Sequence, residues 1–285
     1  MNPLSLAFSP CPNDTYIFCG LVHNRVSRKG INFLPPRLED VETLNEWALE
    51  GRFDVTKLSF HALGHVLDDY CVLTAGSALG RGCGPLLVAR KNLDLSQPGK
   101  LRVAIPGRLT TAAMLFRLFL PDCTDLVTMR FDTIMAAVER GDVDAGVIIH
   151  ESRFTYSDYG LSSICDLGQW WEESSGLPIP LGCIGVRRSL GTEVISRIDR
   201  LIGSSLDWAT GHPSECQPYI RQYAQEMDVQ VLAGHISLYV NDFSRDLGEE
   251  GQAAIMAFLQ RGRSAGILPA GPAGVEVFDH TVSGR

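Results

Sequence analysis

The sequence lacks any cluster of Lys and Arg residues, and its formal net charge is -8. Affinity for nucleic acid depends mostly on concentrated positive charge, so this balance argues against a nucleic-acid partner. No uninterrupted apolar stretch is long enough to span a bilayer, and the first residues have neither the basic flank nor the apolar run of a secretory signal. We therefore expect a small-molecule ligand, no membrane insertion and a cytoplasmic location. The sequence indicates no particular oligomeric state.

Close pairs of metal or disulfide ligands are also lacking. The eight cysteines are scattered without a C-x-x-C pair, which is typical of reduced, buried thiols in a chain that is not exported. His61 and His65 have helical i, i+4 spacing but lack the Glu of an H-E-x-x-H motif, so we interpret them as structural. We expect no metal site.

What the sequence does contain is an alternation of strand and helix patterns. With 285 residues, 45% hydrophobic and 20% charged, the chain has the size and composition of two compact lobes. The alternation predicts an α/β fold with mainly parallel sheets flanked by helices. Strands are predicted at residues 4–8, 31–34, 55–58, 71–74, 101–105, 126–131, 145–149 and 181–186. Helices are predicted at residues 16–22, 40–50, 110–120, 132–140 and over most of 192–260.

The order of elements restarts near residue 101, which indicates a second lobe. The strand at 181–186 is interpreted as the return to the first lobe. We therefore predict a discontinuous larger lobe (1–91 and 184–265), a smaller lobe (92–183) and a flexible C-terminal tail (266–285) rich in Gly, Pro and Ala.

The same local order occurs once in each predicted lobe. Residues 50–59 and 140–150 both read as helix end, glycine, aspartate, apolar strand and polar residue. Ligands of open parallel sheets bind beyond the carboxyl ends of the strands. The repeat therefore predicts Ser59 and His150 at facing rims of a cleft, although this order is also common connection chemistry.

Hydroxyl and amide side chains at the predicted strand-to-helix turns are candidate binding groups. Thr110 and Thr111 begin a helix, where backbone N–H groups form a site for a carboxylate, with plain N-capping as the alternative. Ser59 could bind from the opposite lobe or only close its own turn. Asn13 and Asp14 could face the cleft, and for Asp14 capping is the preferred interpretation.

Four further residues are candidates for lining the cleft. Arg81, among glycines, could clamp an anion or only brace the chain before Pro85. Arg153, Tyr156 and Asn241 are the remaining candidates.

His150 is the candidate catalytic residue. An imidazole has an unperturbed pKa of about 6.5, so it can accept and return a proton near neutral pH. From position alone, a histidine of the core or one that supports the site is the favoured interpretation. Glu151 would point away if the strand continued, so we interpret it as structural or as part of the hinge.

Specific strings of the sequence resemble the 1,4-dihydroxy-6-naphthoate synthases of the futalosine route to menaquinone, over nearly the whole chain. The matching strings are Ser9-Pro-Cys-Pro-Asn-Asp-Thr15, Leu38-Glu-Asp-Val-Glu-Thr-Leu-Asn45, Thr56-Lys-Leu-Ser59, Leu79-Gly-Arg-Gly-Cys-Gly-Pro85, Ile148-Ile-His-Glu-Ser-Arg-Phe-Thr-Tyr156, Asp166-Leu-Gly-Gln-Trp-Trp-Glu-Glu173 and Tyr239-Val-Asn241. The sequence departs from the pattern at Cys83, where an aliphatic residue is expected, and in its C-terminal tail.

The resemblance implies a two-lobed fold like the type II periplasmic binding proteins, with a ligand cleft between the lobes. It implies lyase activity on cyclic dehypoxanthinylfutalosine, with 1,4-dihydroxy-6-naphthoate and a dihydroxyacetone fragment as products. It makes His150 the general base, which reverses the interpretation from position alone, and it implies no metal or organic cofactor.

Three other functions are compatible with parts of the pattern. A non-catalytic solute-binding protein would need export, for which no signal is present. Chorismate dehydratase of the same pathway has a related fold, but the string at residues 150–156 argues against it. A ligand-sensing regulator would bring a DNA-binding segment, and no helix-turn-helix or basic stripe is seen.

Overall fold

The computed structural model describes residues 2–90, 93–224 and 228–271. The first part of the chain alternates short strands and helices. Its elements are β1 (Leu6–Phe8), α1 (Pro12–Val22), β2 (Arg37–Leu38), α2 (Val41–Leu49), β3 (Val55–Ser59), α3 (Phe60–Leu63), β4 (Tyr70–Val72) and β5 (Ala78–Gly80).

The middle of the chain repeats this alternation and the last part is helical. The middle elements are β6 (Leu86–Ala89), β7 (Arg102–Ile105), α4 (Thr111–Phe119), β8 (Asp125–Thr128), α5 (Ile134–Arg140), β9 (Ala145–Ile148), α6 (Ser152–Thr155), β10 (Ser162–Asp166) and α7 (Leu167–Ser175). The last elements are β11 (Ile179–Arg187), α8 (Thr192–Gly211), α9 (Pro213–Tyr223), α10 (Val229–Tyr239), α11 (Asp242–Arg245) and α12 (Gly248–Ser264).

The larger sheet has the strand order β2-β1-β3-β11-β4, and β5 pairs with β11 outside this path. β1 runs parallel to β2 and β3, whereas β11 is antiparallel to β3, β4 and β5. The predicted strand at 31–34 is wrong, since this segment forms only a bridge between Phe33 and Leu4. Pairing resumes at β2, after Pro35 and Pro36, which have no N–H to donate to a sheet.

The smaller sheet has the order β10-β6-β9-β7-β8. β7 is parallel to β8 and β9, but β6 is antiparallel to β9 and β10. The prediction of mainly parallel sheets is therefore wrong. The reason is topological: β6 and β11 follow the two crossings between the sheets, and each enters its new sheet against the direction of its neighbours.

Strand pairing changes from one sheet to the other at β6 and again at β11. Residues 86–89 thus pair in the smaller sheet, although the predicted division put residues up to 91 in the larger lobe. Residues 179–183 likewise pair in the larger sheet. The division of the chain into lobes at 91 and 183 itself stays a prediction.

One of the three apolar clusters of the described residues spans both sheets. A single cluster joins Leu58 and Phe60 of the larger sheet region with Val103 and Ile105 of the smaller sheet. The helix α12 reaches across to pack on α4, where a Cβ at Gly262 would overlap the Met114 side chain. This continuous packing holds the two lobes in one arrangement.

The core also includes the start of the predicted tail. The amides of Ile267 and Leu268 donate to the carbonyl of Gly262, and Leu268 is 5% exposed against Gly64. The packed chain therefore extends beyond residue 266, because Leu268 has an apolar site to fill. Residues 272–285 of the predicted tail lie outside the described residues.

The first crossing between the sheets depends on two facing glycines. A Cβ on Gly84 would overlap the backbone of Gly168 at the start of α7, and a Cβ on Gly168 would overlap Gly84. Backbone atoms cannot move away as a flexible side chain can. The contact therefore fixes how closely the crossing before β6 approaches α7.

We expect Gly84→Ala to lower the free energy of unfolding by about 1–3 kcal/mol, the usual cost of overpacking a buried site. The matched control is Gly211→Ala at the exposed end of α8, where a Cβ meets nothing within 4 Å. Urea unfolding of both variants checks this. Equal midpoints for the two variants would contradict the assigned role of the glycine contact.

Candidate functional site

A cavity of about 640 Å³ lies between the two sheets and is lined from both. Small-molecule sites are mostly apolar with a few placed polar groups. The apolar part of this lining includes Val41, Leu58, Pro85, Ala112, Ile149 and Leu181. The polar lining residues come from the ends of strands and the starts of helices.

His150 lines the cavity from the turn between β9 and α6. Its φ is +58°, in the left-handed region that β9 residues do not adopt. A side chain other than glycine rarely occupies this region, and such positions cost of order 1–3 kcal/mol and cluster at functional sites. The turn breaks the strand alternation and directs the imidazole to the cavity.

The surroundings of His150 favour its neutral form. The ring packs edge-on against Phe131, with 5.0 Å between ring centroids, and its Nδ1 lies 3.5 Å from the Cys11 Sγ. Burial lowers the pKa of His150 below its ordinary value; Glu151 and Asp14 act in the opposite direction, and the charge of Lys57 adds to the lowering. A neutral imidazole can accept a proton at neutral pH.

Cys11 is in contact with His150 but is not itself an activated nucleophile. Burial and the nearby carboxylates raise the pKa of its thiol well above the ordinary value, so it is uncharged at neutral pH. Its Sγ lies 3.5 Å from one ring nitrogen of His150 and 3.8 Å from the other. Cys11 therefore places an uncharged side chain against the imidazole.

Ser59 lines the cavity from the end of β3, across from His150. Its Oγ accepts a hydrogen bond from the Asn45 amide at 3.0 Å, and its backbone N–H donates to the Asn45 Oδ1 at 2.9 Å. The hydroxyl makes no capping bond to α3. Asn45 thus occupies a lone pair of Ser59 and leaves the hydroxyl hydrogen for a ligand.

Thr110 and Thr111 lie at the start of α4, and both hydroxyls are already bonded within the protein. Thr110 Oγ1 donates to the carbonyl of Gly107 at 2.9 Å and accepts from the amide of Ala113 at 3.2 Å. Thr111 Oγ1 donates to the carbonyl of Leu181 at 2.6 Å. Thr110 caps the Ala113 amide, so the donors that this end of α4 could offer to the cavity are the backbone N–H groups of Thr111 and Ala112, which have no intrahelical partner in a first turn.

Asp14 lies in a buried network at the start of α1, not at a simple helix cap. It is 1% exposed and receives Lys57 Nζ on Oδ1 at 2.7 Å and Ser9 Oγ on Oδ2 at 2.6 Å. Asn13 also donates its side-chain amide to Asp14 Oδ1 at 2.9 Å. Asn13, Asp14 and Lys57 all line the cavity.

His235 of α10 is the last member of this network and contacts Asn13. Its Nε2 lies 3.0 Å from the Asn13 Oδ1, and its ring is nearly parallel to that of His150, with 6.2 Å between centroids. The side chain is fully buried, and its Nδ1 has no hydrogen-bond partner among the described residues. Burial, and secondarily His150, hold the pKa of His235 well below the ordinary value, so it is neutral.

The structure brings Asn13, Ser59, Thr110, Thr111 and His150 to one cavity. The other four candidates do not line this cavity; they are Arg81, Arg153, Tyr156 and Asn241.

Arg81 is half exposed and pairs with Glu250 at 2.8 Å, and Arg153 pairs with Asp166 at 2.6 Å. Asn241 caps α11, and Tyr156 packs against the apolar cluster of the smaller sheet; contact of these four with substrate stays a prediction.

Lys57, Cys11 and His235 are the site residues that sequence reasoning missed. Lys57 lies within a strand that is buried throughout, and a charge in such a strand is a signal that could have marked it, because charged side chains are rarely buried unless paired. Cys11 and His235 carry no comparable signal. Their positions depend on the packing of α1 and α10.

Two β-sheets with flanking helices and a cavity between them define a periplasmic-binding-protein-like class of fold. The model superposes on a solved Candida albicans protein with this generic fold at a TM-score of 0.67 and 13% identity, covering 95% of this chain and 92% of that one. An Archaeoglobus fulgidus structure matches at a TM-score of 0.88 and 34% identity, covering 93% and 98%. The predicted fold class is confirmed.

The chain belongs to the menaquinone biosynthesis family, whose model matches residues 4–264. A curated 1,4-dihydroxy-6-naphthoate synthase of Thermus thermophilus is 49% identical over 272 residues, covering 95% of this chain and 98% of that protein. The enzyme of the same name from Streptomyces coelicolor is 46% identical over 274 residues, covering 94% and 96%. The resemblance of the sequence strings to this family is confirmed.

The described residues contain neither a candidate membrane span nor a candidate metal site. No helix there is long and apolar enough to cross a membrane. Within the same residues, no group of three His, Cys, Asp or Glu side chains is arranged to hold a metal ion.

His61 connects the two lobes beside the cavity. It is 2% exposed, and its Nδ1 lies 3.1 Å from the carbonyl oxygen of Thr110, so this nitrogen carries the donated hydrogen. Burial lowers the pKa of His61 to about 4. Between this pH and the ordinary histidine value, the unfolded chain binds a proton at His61 that the folded protein does not.

We therefore expect the stability of the protein to decrease as the pH falls from about 6.5 to 4, with a contribution of roughly 3 kcal/mol from His61. The His61→Gln variant should lose less stability over this range than the wild type. Urea unfolding at a series of pH values measures both. The same loss in the two proteins would contradict a neutral, buried His61.

Proposed function

We propose that this protein is a 1,4-dihydroxy-6-naphthoate synthase that acts as a lyase on cyclic dehypoxanthinylfutalosine and releases a dihydroxyacetone fragment. The observation that supports this most directly is the neutral His150 imidazole, held at positive φ in a largely apolar cavity. Family membership indicates the product. The cavity combines a candidate base with an apolar lining that could contact the substrate ring.

In this reaction His150 accepts a proton from a substrate carbon. The C–H electron pair forms a new ring double bond while the π electrons of the adjacent ring carbonyl move onto its oxygen, and the later departure of the fragment with its bonding electron pair completes the aromatic naphthol. The imidazolium then returns the proton to the leaving fragment. One residue can serve both steps because its neutral and charged forms differ by little free energy near neutral pH.

The substrate carboxylate is proposed to bind at the start of α4. The backbone N–H groups of Thr111 and Ala112 lie there, and Thr110 fixes this end of the helix through its own cap. The positive end of the helix dipole favours an anion at this position. Ser59 then donates its free hydroxyl hydrogen to a substrate oxygen from the opposite lobe.

The alternatives are a chorismate dehydratase-like enzyme and a non-catalytic binding protein with the same fold. The named relatives argue against the first. The positive φ of His150 argues against the second, because simple ligand binding does not require a base in a costly conformation.

Incubation of the purified protein with cyclic dehypoxanthinylfutalosine tests the function. We expect 1,4-dihydroxy-6-naphthoate, identified by absorbance and mass, together with one equivalent of the three-carbon fragment. A parallel incubation with chorismate should give no enolpyruvyl benzoate. Binding of the first substrate without turnover would contradict the lyase assignment.

We expect His150→Gln to reduce kcat by at least about 100-fold, the lower range for loss of a general base. Binding of the naphthoate product, measured by thermal shift, should persist because the ring and carboxylate contacts remain. Asn24→Gly, at a positive φ far from the cavity, is a matched control for backbone relaxation. A His150→Gln rate within a few-fold of wild type would remove His150 from the base role.

A further inference from the structure

Lys57 has donors that the protein does not use. Its ammonium carries three N–H groups, and Asp14 is its one recorded acceptor among the described residues, at 2.7 Å. Lys57 is 5% exposed and lines the same cavity as His150. Two of its protons are therefore available to a ligand oxygen.

Stability alone is a poor explanation for this buried ion pair. Removing a charge from water costs several kcal/mol per ion, and well-packed apolar residues of similar volume often do as well or better. The apolar neighbours of Lys57 on β3, Val55 and Leu58, show that the strand accepts such residues. A charged side chain in the lining of the cavity is best explained by an interaction with a ligand.

The proposed reaction creates a charge that needs such a partner. A 1,4-dihydroxynaphthoate is the enol form of a ring ketone, so removal of a carbon-bound proton moves an electron pair onto a ring oxygen. The proton is then on His150 and the negative charge is on that oxygen. In a largely apolar cavity, a fixed cation near the oxygen lowers the barrier to this step.

We propose that Lys57 is a second catalytic residue, whose ammonium donates a hydrogen bond to the oxyanion that forms on the substrate as His150 takes the proton. This inference rests on the proposed function. Asp14 is the positioning residue: its carboxylate holds the ammonium at the cavity wall and is itself fixed by Ser9.

The amide of Asn13 links this pair to the region behind His150. Because Asp14 only accepts, the Asn13 Nδ2 must face it, and the Asn13 Oδ1 then accepts from the His235 Nε2–H. This chain of bonds fixes the direction of each group without a charge change at His235. Lys57 is therefore held in place before substrate arrives.

Four variants separate catalysis from structure. Lys57→Met and Asp14→Asn each remove one charge, and the double variant Lys57→Met/Asp14→Asn removes both, so that it leaves no unpaired buried ion. Lys100→Met, at an exposed lysine, is the matched control. The kcat and KM for cyclic dehypoxanthinylfutalosine, the Kd of 1,4-dihydroxy-6-naphthoate and the Tm are measured for each.

We expect the double variant to fold, to bind product within about 5-fold of wild type and to lose about 100- to 1000-fold in kcat, as for loss of one oxyanion donor. Lys100→Met should behave as wild type. A double variant with a kcat within about 5-fold of wild type would overturn the proposal and assign the pair a structural role. Absence of turnover by the wild type would instead overturn the proposed function, and this inference with it.

A spectroscopic measurement tests the same contact without turnover. The phenolic oxygen of bound naphthoate occupies the position of the oxyanion, and a cation within 4–6 Å lowers the pKa of such a group by about 1–3 units. The absorbance of the bound product should therefore change to the phenolate form at lower pH in wild type than in the double variant. Identical titrations in the two proteins would overturn the contact.

Discussion

The partial burial of His150 between two lobes is the constraint on which the rest of the site depends. Desolvation keeps the ring neutral, so it is ready to accept a proton, and the positive φ at the end of β9 directs it into the cavity. Both features need a rigid surrounding structure, because each is unfavourable for an isolated chain. The shared core across the two sheets and the close contact of Gly84 with Gly168 provide that rigidity.

The polar groups of the cavity divide into those used by the protein and those left for a ligand. The hydroxyls of Thr110 and Thr111 are bonded internally, whereas no acceptor among the described residues takes the Ser59 hydroxyl hydrogen or two of the Lys57 protons. In the proposed function, these donors would face a carboxylate at one end of the cavity and a developing oxyanion near His150. The apolar remainder of the lining would contact the substrate ring.

Much of this could be predicted from the sequence, and the exceptions have physical causes. Local order placed Ser59 and His150 at strand ends, and both line the cavity. The antiparallel entry of β6 and β11 and the pairing of Lys57 with Asp14 depend on contacts between distant segments, which periodicity does not report. Arg81 carries a guanidinium that could bind an anion, but this group pairs with the exposed Glu250 on α12.

The role of His150 is tested by comparing two pKa values: that of His150 from NMR titration of its labelled ring, and that of the acid limb of kcat/KM. We expect His150 to titrate below the ordinary value of about 6.5 and the kinetic pKa to coincide with it, since only the neutral ring accepts the proton. A His150 pKa at or above the ordinary value, or an acid limb that does not follow it, would contradict the role of His150 as the base.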